Sequence, residues 1–273
     1  MTEKRLCDWV VALKGAGDLA SGVAWRLHRS GMHRLWMMET SAPLAVRRGV
    51  SYCEAVYEKQ KTVEGITAVL VDDHRGIAGA WQEKRIPLLV DPEWRSIAAM
   101  APDVVIDVIL AKKNLGTRRA EAPLVIGLGP GFEAGRDVHA VIETNRGHYL
   151  GRVLYSGRAE ANTGIPGNIG GYTIERVLRS PADGCFSTHL NPGDRVEKDA
   201  IVGQVDGVAV QAAVGGVIRG LIRTSTPVRT GMKLGDVDPR GSAAYYKRIS
   251  DKSIAIGGAV LEAVLCAFHN EMH

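Results

Sequence analysis

Short apolar runs alternate with helix-length amphipathic stretches through the first half of the chain. Runs at 10–14, 35–39, 68–71, 88–90, 104–110 and 124–127 predict strands. Between the first two, Leu19, Val23, Ala24, Leu27 and Gly31 fall at helical spacing, which predicts a helix over 18–30 that Gly31 ends. Strands separated by helices in this way close on a parallel sheet, so this half reads as a Rossmann-like α/β domain.

The texture changes from about Asp183. Glycines then recur every eight to twelve residues between short apolar runs, as in "DGCFSTHLNPGDRVEKDAIVGQVDG" and "TPVRTGMKLGDVDPRG", which predicts a small all-β barrel or sandwich. The stretches "LNPGDRVEKDAIVGQVDG" and "TSTPVRTGMKLGDVDPRG" also form a weak internal repeat. Helical spacing returns over 252–269 through Ile254, Ala259, Val260, Leu261, Val264, Leu265 and Phe268. The expected organisation is therefore a Rossmann-like domain over 1–155, a Gly-rich loop with a connecting helix ("TIERVLRS") over 156–182, a β module over 183–240, and a C-terminal helical segment over 241–273 that packs back.

With 273 residues, 45% of them apolar and 23% charged, the chain can bury a full core and divide into about two domains. Disordered and fibrous classes do not fit. No apolar run approaches the ~18 residues of a membrane span and the start lacks a secretory apolar region, so a cytoplasmic protein without membrane contact is expected. Cys7, Cys53, Cys185 and Cys266 are too scattered for a disulfide framework or a zinc site. Lys plus Arg number 34 against 30 Asp plus Glu without long like-charged blocks, so no nucleic-acid surface is expected, while a local phosphate pocket is compatible.

Candidate chemistry sits in the glycine loops. Gly15-Ala16-Gly17-Asp18-Leu19-Ala20 has the G-x-G-x-x-A form after a strand and before a helix, where small residues allow a tight turn, close approach of a pyrophosphate and close helix packing. Glu39 ends the next strand, where an acidic group meets a ribose hydroxyl. Asp18 pulls the other way, because a carboxylate at a helix start caps the helix and repels phosphate. The loop therefore fits either a bound dinucleotide or a Rossmann scaffold with an altered pocket.

A second loop, Gly127-Leu128-Gly129-Pro130-Gly131, and a third around Lys112, Lys113 and Asn114 leave strands at the same predicted sheet edge. Their plain readings are a turn and a solvated lysine pair. The glycine-dense stretch at Asn162, Thr163 and Gly164 is either ordered by a ligand or a neighbouring domain, or is a flexible interdomain linker. Arg47 and Arg48 after the second strand suit a ribose phosphate or exposed ion pairs, and Cys53 follows them. No standard catalytic motif is present. His139 and His148 flank Glu143, a setting more typical of structural histidines, and His269 and His273 have metal-pair spacing but carry little weight near the chain end. No metal site is expected.

Taken together, "KGAGDLASGVAWRL", "RRGVSYCEAVY", "AKKNLGT", "VIGLGPGFEAGRDVHAVIETNRGHYLGRVLYSG", "NTGIPGNIGGYTIERVLRSPADG", "GMKLGDVDPR" and "ISDKSIAIGGAVLEAVL" make the chain resemble the selenium-dependent molybdenum hydroxylase accessory proteins of the YqeB type, relatives of the XdhC/CoxI factors. The resemblance covers about 10–265. It implies a maturation factor that binds a molybdopterin-type cofactor or its dinucleotide, helps to modify or insert it, and hands it to a hydroxylase apo-enzyme. Homo-oligomerisation is compatible with this role. The competing expectations are an NAD(P)-binding oxidoreductase and a docking scaffold with an unused pocket. The β module further resembles biotinyl/lipoyl-type modules, but the carrier hairpin is missing and "TGMKLGD" makes Lys233 a poor attachment point.

Overall fold

The computed structural model describes residues 4–269, so His273 and any metal pair it would complete lie outside the described residues. The chain divides into two units. The first takes in the chain up to Pro43, Ser51–Asn162 and the segment from Ile249; the second takes in Leu44–Val50 and Thr163–Arg248.

The first unit is built on β1 (Val11–Lys14), α1 (Asp18–Arg29), β2 (Leu35–Glu39), α2 (Ala55–Glu58), β3 (Gln60–Val63), β4 (Ile66–Leu70), α3 (Ile77–Gln82), β5 (Ile86–Val90), α4 (Arg95–Met100), β6 (Val104–Asp107), β7 (Leu124–Leu128), β8 (Ala140–Ile142), β9 (Val153–Leu154) and α5 (Asp251–Phe268). Its nine-stranded sheet has the order β3-β4-β5-β2-β1-β6-β7-β8-β9. Strands β4 to β8 run parallel, and β3 and β9 join antiparallel at the two edges. This is the Rossmann-like, mostly parallel sheet that the strand–helix alternation predicts. The central strands are buried on both faces, as expected for a parallel sheet covered on each side.

Beyond β6 the expected strand stops early. Asp107 is its last residue, and Leu110 and Lys112 adopt left-handed backbone (φ 61° and 63°), which no strand tolerates.

Helices α1 and α5 pack through small residues. A Cβ at Gly22 would lie 2.6 Å from the Ser253 Cβ, and one at Gly257 would lie 3.0 Å from the Arg26 Cβ. Asp18 meets Ser253 one turn earlier, so the two helices run parallel with their N-termini at the same end. Gly22→Leu is expected to lower stability by about 1–3 kcal/mol through overpacking, read as a lower urea midpoint.

Two histidines tie this unit together in neutral form. His139 Nδ1 accepts the Val125 N–H at 2.9 Å, and the His28 Nε2 contacts the Lys84 carbonyl at 3.0 Å. Burial holds both imidazoles below their ordinary pKa, helped by Arg119 at His139 and by His33 at His28. The unfolded chain therefore binds protons that the folded chain refuses. Stability is expected to be complete above pH ~6.5 and to fall as pH drops below it, which urea titrations between neutral pH and pH 5 would read.

The second unit contains β10 (Val177–Arg179), β11 (Gly184–Ser187), β12 (Arg195–Val196), β13 (Ile201–Val205), β14 (Val208–Gln211), β15 (Gly216–Leu221), β16 (Thr226–Val228) and β17 (Lys233–Asp238). They form two four-stranded sheets, β10-β17-β15-β12 and β14-β13-β11-β16, over a core that includes Phe186, Val202, Ile218, Leu221 and Leu234. The internal repeat explains the arrangement. Its two copies place β12 and β16 at edges of opposite sheets, and β13 and β17 at the matching inner positions, a local pseudo-twofold.

"TIERVLRS" is a turn followed by a strand, not the expected helix. Val177 and Leu178 pair with Asp236 and Gly235, and this pairing overrides local helical preference. Arg176 extends toward Asp236 beside them and donates at 3.1 Å. Lys233 opens β17 and pairs with Asp236 at 3.4 Å instead of standing at a hairpin tip.

Candidate functional site

Four strand ends line up in one row. In the registers of β2, β1, β6 and β7, Met38 faces Lys14, Lys14 faces Asp107, and Asp107 faces Gly127. β1 lies between β2 and β6, and the chain fills the sheet outward from it on both sides. This is the topological switch point of the sheet, outside whose strand C-termini open α/β proteins bind ligands.

The loop after β1 turns at Gly15, whose φ of +98° favours glycine, and its N–H donates to the Met38 carbonyl at 2.8 Å. A Cβ on Gly15 would lie 3.4 Å from the Val108 carbonyl oxygen. Gly17 differs: its backbone is ordinary (φ −70°), and a Cβ there would meet nothing within 4 Å. No protein contact therefore accounts for a glycine at this position. Gly17 also stands at the N-cap of α1 without any side-chain cap, while Asp18 and Leu19 are half-buried in the first turn.

Carboxylates hold these loops in shape. Glu39 accepts the Ala16 N–H at 3.0 Å on one oxygen and the Thr40 N–H at 2.9 Å on the other, so it fixes the glycine loop from the end of β2. Glu143, 2% exposed beyond β8, accepts the N–H groups of Asn145 and Glu160 at 2.6 and 2.7 Å. Buried Cys53 lies against the same loop, its N–H donating to the Ala16 carbonyl at 2.8 Å.

Beneath the row is a buried ionic cluster that periodicity does not reveal. Lys14 has no exposed surface; its Nζ donates to the Thr117 hydroxyl at 2.8 Å, pairs with Glu121 at 2.6 Å and stands 3.8 Å over the Trp94 ring. The Thr117 hydroxyl in turn donates to Asp107 at 2.6 Å, and the other Asp107 oxygen accepts the Ile109 N–H at 3.1 Å. Burial lowers the Lys14 pKa against the opposing pull of Glu121, and burial raises that of Asp107 against Thr117, Ile109 and Lys14.

This cluster anchors the loop that carries the lysine pair. Asn114 locks its far end, accepting from the N–H groups of Gly116 and Thr117 and donating to the Thr117 carbonyl. Lys112 and Lys113 are exposed on the loop. The glycines after β7 fit against it: a Cβ on Gly131 would fall 2.7 Å from the Lys113 nitrogen, and one on Gly129 2.6 Å from the Thr144 hydroxyl. Gly127 makes room for the Phe132 ring. The loops after β1, β6, β7 and β8 thus meet along one edge.

The start of α5 completes that edge, which the sequence reading missed. Ser253 donates to Asp18 at 3.3 Å, and Asp251 accepts two hydrogen bonds from Arg146 at 2.7 and 2.9 Å. Between them Lys252 is half-buried, and burial followed by the like charges of Arg146 and Lys112 lowers its pKa, against Asp18 and Glu143.

The other expected residues have different surroundings. Arg47 and Arg48 belong to the second unit; Arg47 donates to the carbonyls of Tyr245 and Arg248, and Arg48 to that of Leu221. Asn162 and Gly164 are exposed, and the Thr163 hydroxyl accepts the Ile165 N–H in a local turn. His148 is exposed, and His139 serves the sheet as described above. Among the described residues no group of three His, Cys, Asp or Glu side chains could hold a metal ion, and no helix is long and apolar enough to cross a membrane.

Over 260 residues the chain is 45% identical to a protein of Escherichia coli K12 named "Uncharacterized protein YqeB". Nearly the whole chain is similar to it. The match covers 95% of the present chain and 48% of YqeB, so the chain spans about half the length of this relative. No protein-family model matches. Among solved structures, TcdA (CsdL) superposes with a TM-score of 0.34 at 12% identity, covering 97% of this chain and 89% of that one. An aspartoacylase family protein of Mesorhizobium loti superposes with a TM-score of 0.28 at 11% identity, covering 84% of each chain. Superpositions this loose transfer neither activity nor residue roles.

Proposed function

We propose that this chain binds a phosphate-bearing cofactor of the molybdopterin type along the edge formed by Gly15–Leu19, Lys112, Gly127–Gly131 and the start of α5, and acts as an accessory factor in maturing a selenium-dependent molybdenum hydroxylase. The observation that carries the binding half is Gly17. It is a glycine that no protein neighbour requires, at the uncapped N-terminus of a twelve-residue helix, beside the switch point of a parallel sheet. Such a position presents free N–H groups and a positive helix end to an anion and leaves room for its oxygens.

The resemblance in sequence supports the molybdenum half. When bound, the cofactor would supply the molybdenum centre that the recipient enzyme uses. Residues of this chain would hold its phosphate: the first-turn N–H groups of Leu19 and Ala20 would donate to it, while Glu39 and Asn114 keep the loops in place. Placement of a pterin dinucleotide would use the same edge.

An NAD(P)-binding oxidoreductase is the second reading, favoured by Glu39 at the end of β2. Its carboxylate already holds Ala16 and Thr40, which leaves less of it for a ribose. Mass spectrometry of small molecules released on denaturing the protein, purified from a host that makes molybdenum cofactor, separates the readings. A pterin or pterin dinucleotide is expected. Release of NAD(P) would replace the proposal with the oxidoreductase, and release of nothing would favour a docking scaffold.

A further inference from the structure

We propose that a cleft on the outer face of the β11–β13 strand pair binds an uncharged, flat nitrogen heterocycle of the nucleobase class. The inference rests on the second unit alone and is independent of the anion site proposed for the first.

Strand alternation builds the cleft. Phe186 of β11 and Val202 and Val205 of β13 are fully buried in the core of this unit, so their neighbours Ser187, Ile201 and Gln204 stand on the outer face. A register shift between Ile201 and Gly203 puts Ile201 and Gln204 on that one face although they are three residues apart. Ser187 and Gln204 are direct partners in the β11–β13 pairing, which sets their Cβ atoms about 4.5–5.5 Å apart. With His189 and Thr224 they border a space of about 400 Å³. Small-molecule sites occupy ~300–1,000 Å³, so this one suits a compact ligand.

The cleft is shaped before any ligand arrives. The Thr188 hydroxyl donates to the Val202 carbonyl at 2.6 Å and accepts the Leu190 N–H at 3.0 Å, while the Thr188 N–H donates to the Thr224 hydroxyl at 3.3 Å. Thr188 therefore ties the His189 segment to β13, and little ordering is left for binding to drive.

The lining decides the class of ligand. Ser187, His189 and Gln204 have no side-chain hydrogen bond to any described residue, so three polar groups around one cleft are open to a ligand. The Gln204 carboxamide sets a donor beside an acceptor, the pattern with which glutamine meets the edge of adenine. Ile201, 62% exposed, supplies an apolar wall for a ring face. Among the described residues no Lys, Arg, Asp or Glu lines the cleft, so a charged ligand would lose hydration without gaining a counter-charge.

The test titrates the ¹⁵N-labelled whole protein with adenine, and separately with glucose, and follows the backbone amide shifts. Adenine should move the amides of Ser187, Thr188, Gly203 and Gln204 saturably, and glucose should leave them in place. Gln204→Ala and Ile201→Asp should each raise the adenine midpoint about tenfold, the scale of one net hydrogen bond. Both side chains are exposed, so the two melting temperatures should match the wild type. Cleft amides that ignore adenine, that respond equally to glucose, or that keep the wild-type midpoint in both variants would overturn the inference. Adenine shifts confined to the loop at Gly15–Leu19 would also overturn it and leave the reading of the first unit standing.

Discussion

Asp236→Asn is expected to cost about 3–5 kcal/mol, the scale for leaving buried charge without its partner, and to unfold the second unit well below the wild-type melting temperature. Asp236 has no exposed surface and accepts from Arg176, itself 5% exposed, and from Arg219. Burial alone would raise its pKa; Lys233, Arg219 and Arg176 outweigh burial and hold the carboxyl well below the ordinary carboxylate range. Asparagine keeps the shape but leaves the buried Arg176 and the partly buried Arg219 guanidinium groups facing a neutral amide. The same substitution loosens the Gly-rich loop, because Arg176 also donates to the Gly167 carbonyl at 2.9 Å. Urea unfolding followed by near-ultraviolet circular dichroism checks the loss. Since the folded pKa is depressed, this contribution is intact above the unfolded carboxylate pKa of ~3.9 and disappears only as pH falls toward the folded value.

Gly17→Val is expected to do the opposite: leave stability near wild type and remove ligand binding. Its backbone is extended, which valine accepts, and its Cβ would enter space free of protein atoms. The added methyl groups would stand where the proposed phosphate approaches the α1 N–H groups. Losing one hydrogen bond to a charged group costs about 1.5–3 kcal/mol, on the order of 10- to 100-fold in affinity. At Gly15, by contrast, the left-handed φ of +98° makes any side chain a folding defect, so Gly15 cannot separate the two effects.

The parallel sheet and the glycine loop after its central strand β1 were legible in the sequence because strand periodicity and glycine turns are local signals. The convergence of the loops at Gly15, Lys112 and Gly127 followed from the rule that these loops leave the strand C-termini on one side. What the sequence concealed was set by contacts across long separations. Lys14 reads as the polar end of a strand, yet Thr117 and Glu121, over a hundred residues on, make it the centre of a buried cluster. Ser253 reads as one position of an amphipathic helix, and only the packing of Gly22 against it brings its hydroxyl to Asp18 at the start of α1. Arg47 and Arg48 had the composition of a phosphate contact, but carbonyls of Leu221, Tyr245 and Arg248 take their guanidinium groups. "TIERVLRS" carries helical spacing, and its pairing with β17 decided for a strand.

The most direct measurement is the pterin content of wild-type and Gly17→Val protein purified side by side from a host that makes molybdenum cofactor, with melting temperatures recorded for both. The account predicts near-stoichiometric pterin in the wild type, little in the variant, and matching melting temperatures once bound pterin has been removed from both. Equal pterin content in the two proteins, or none in either, would contradict it.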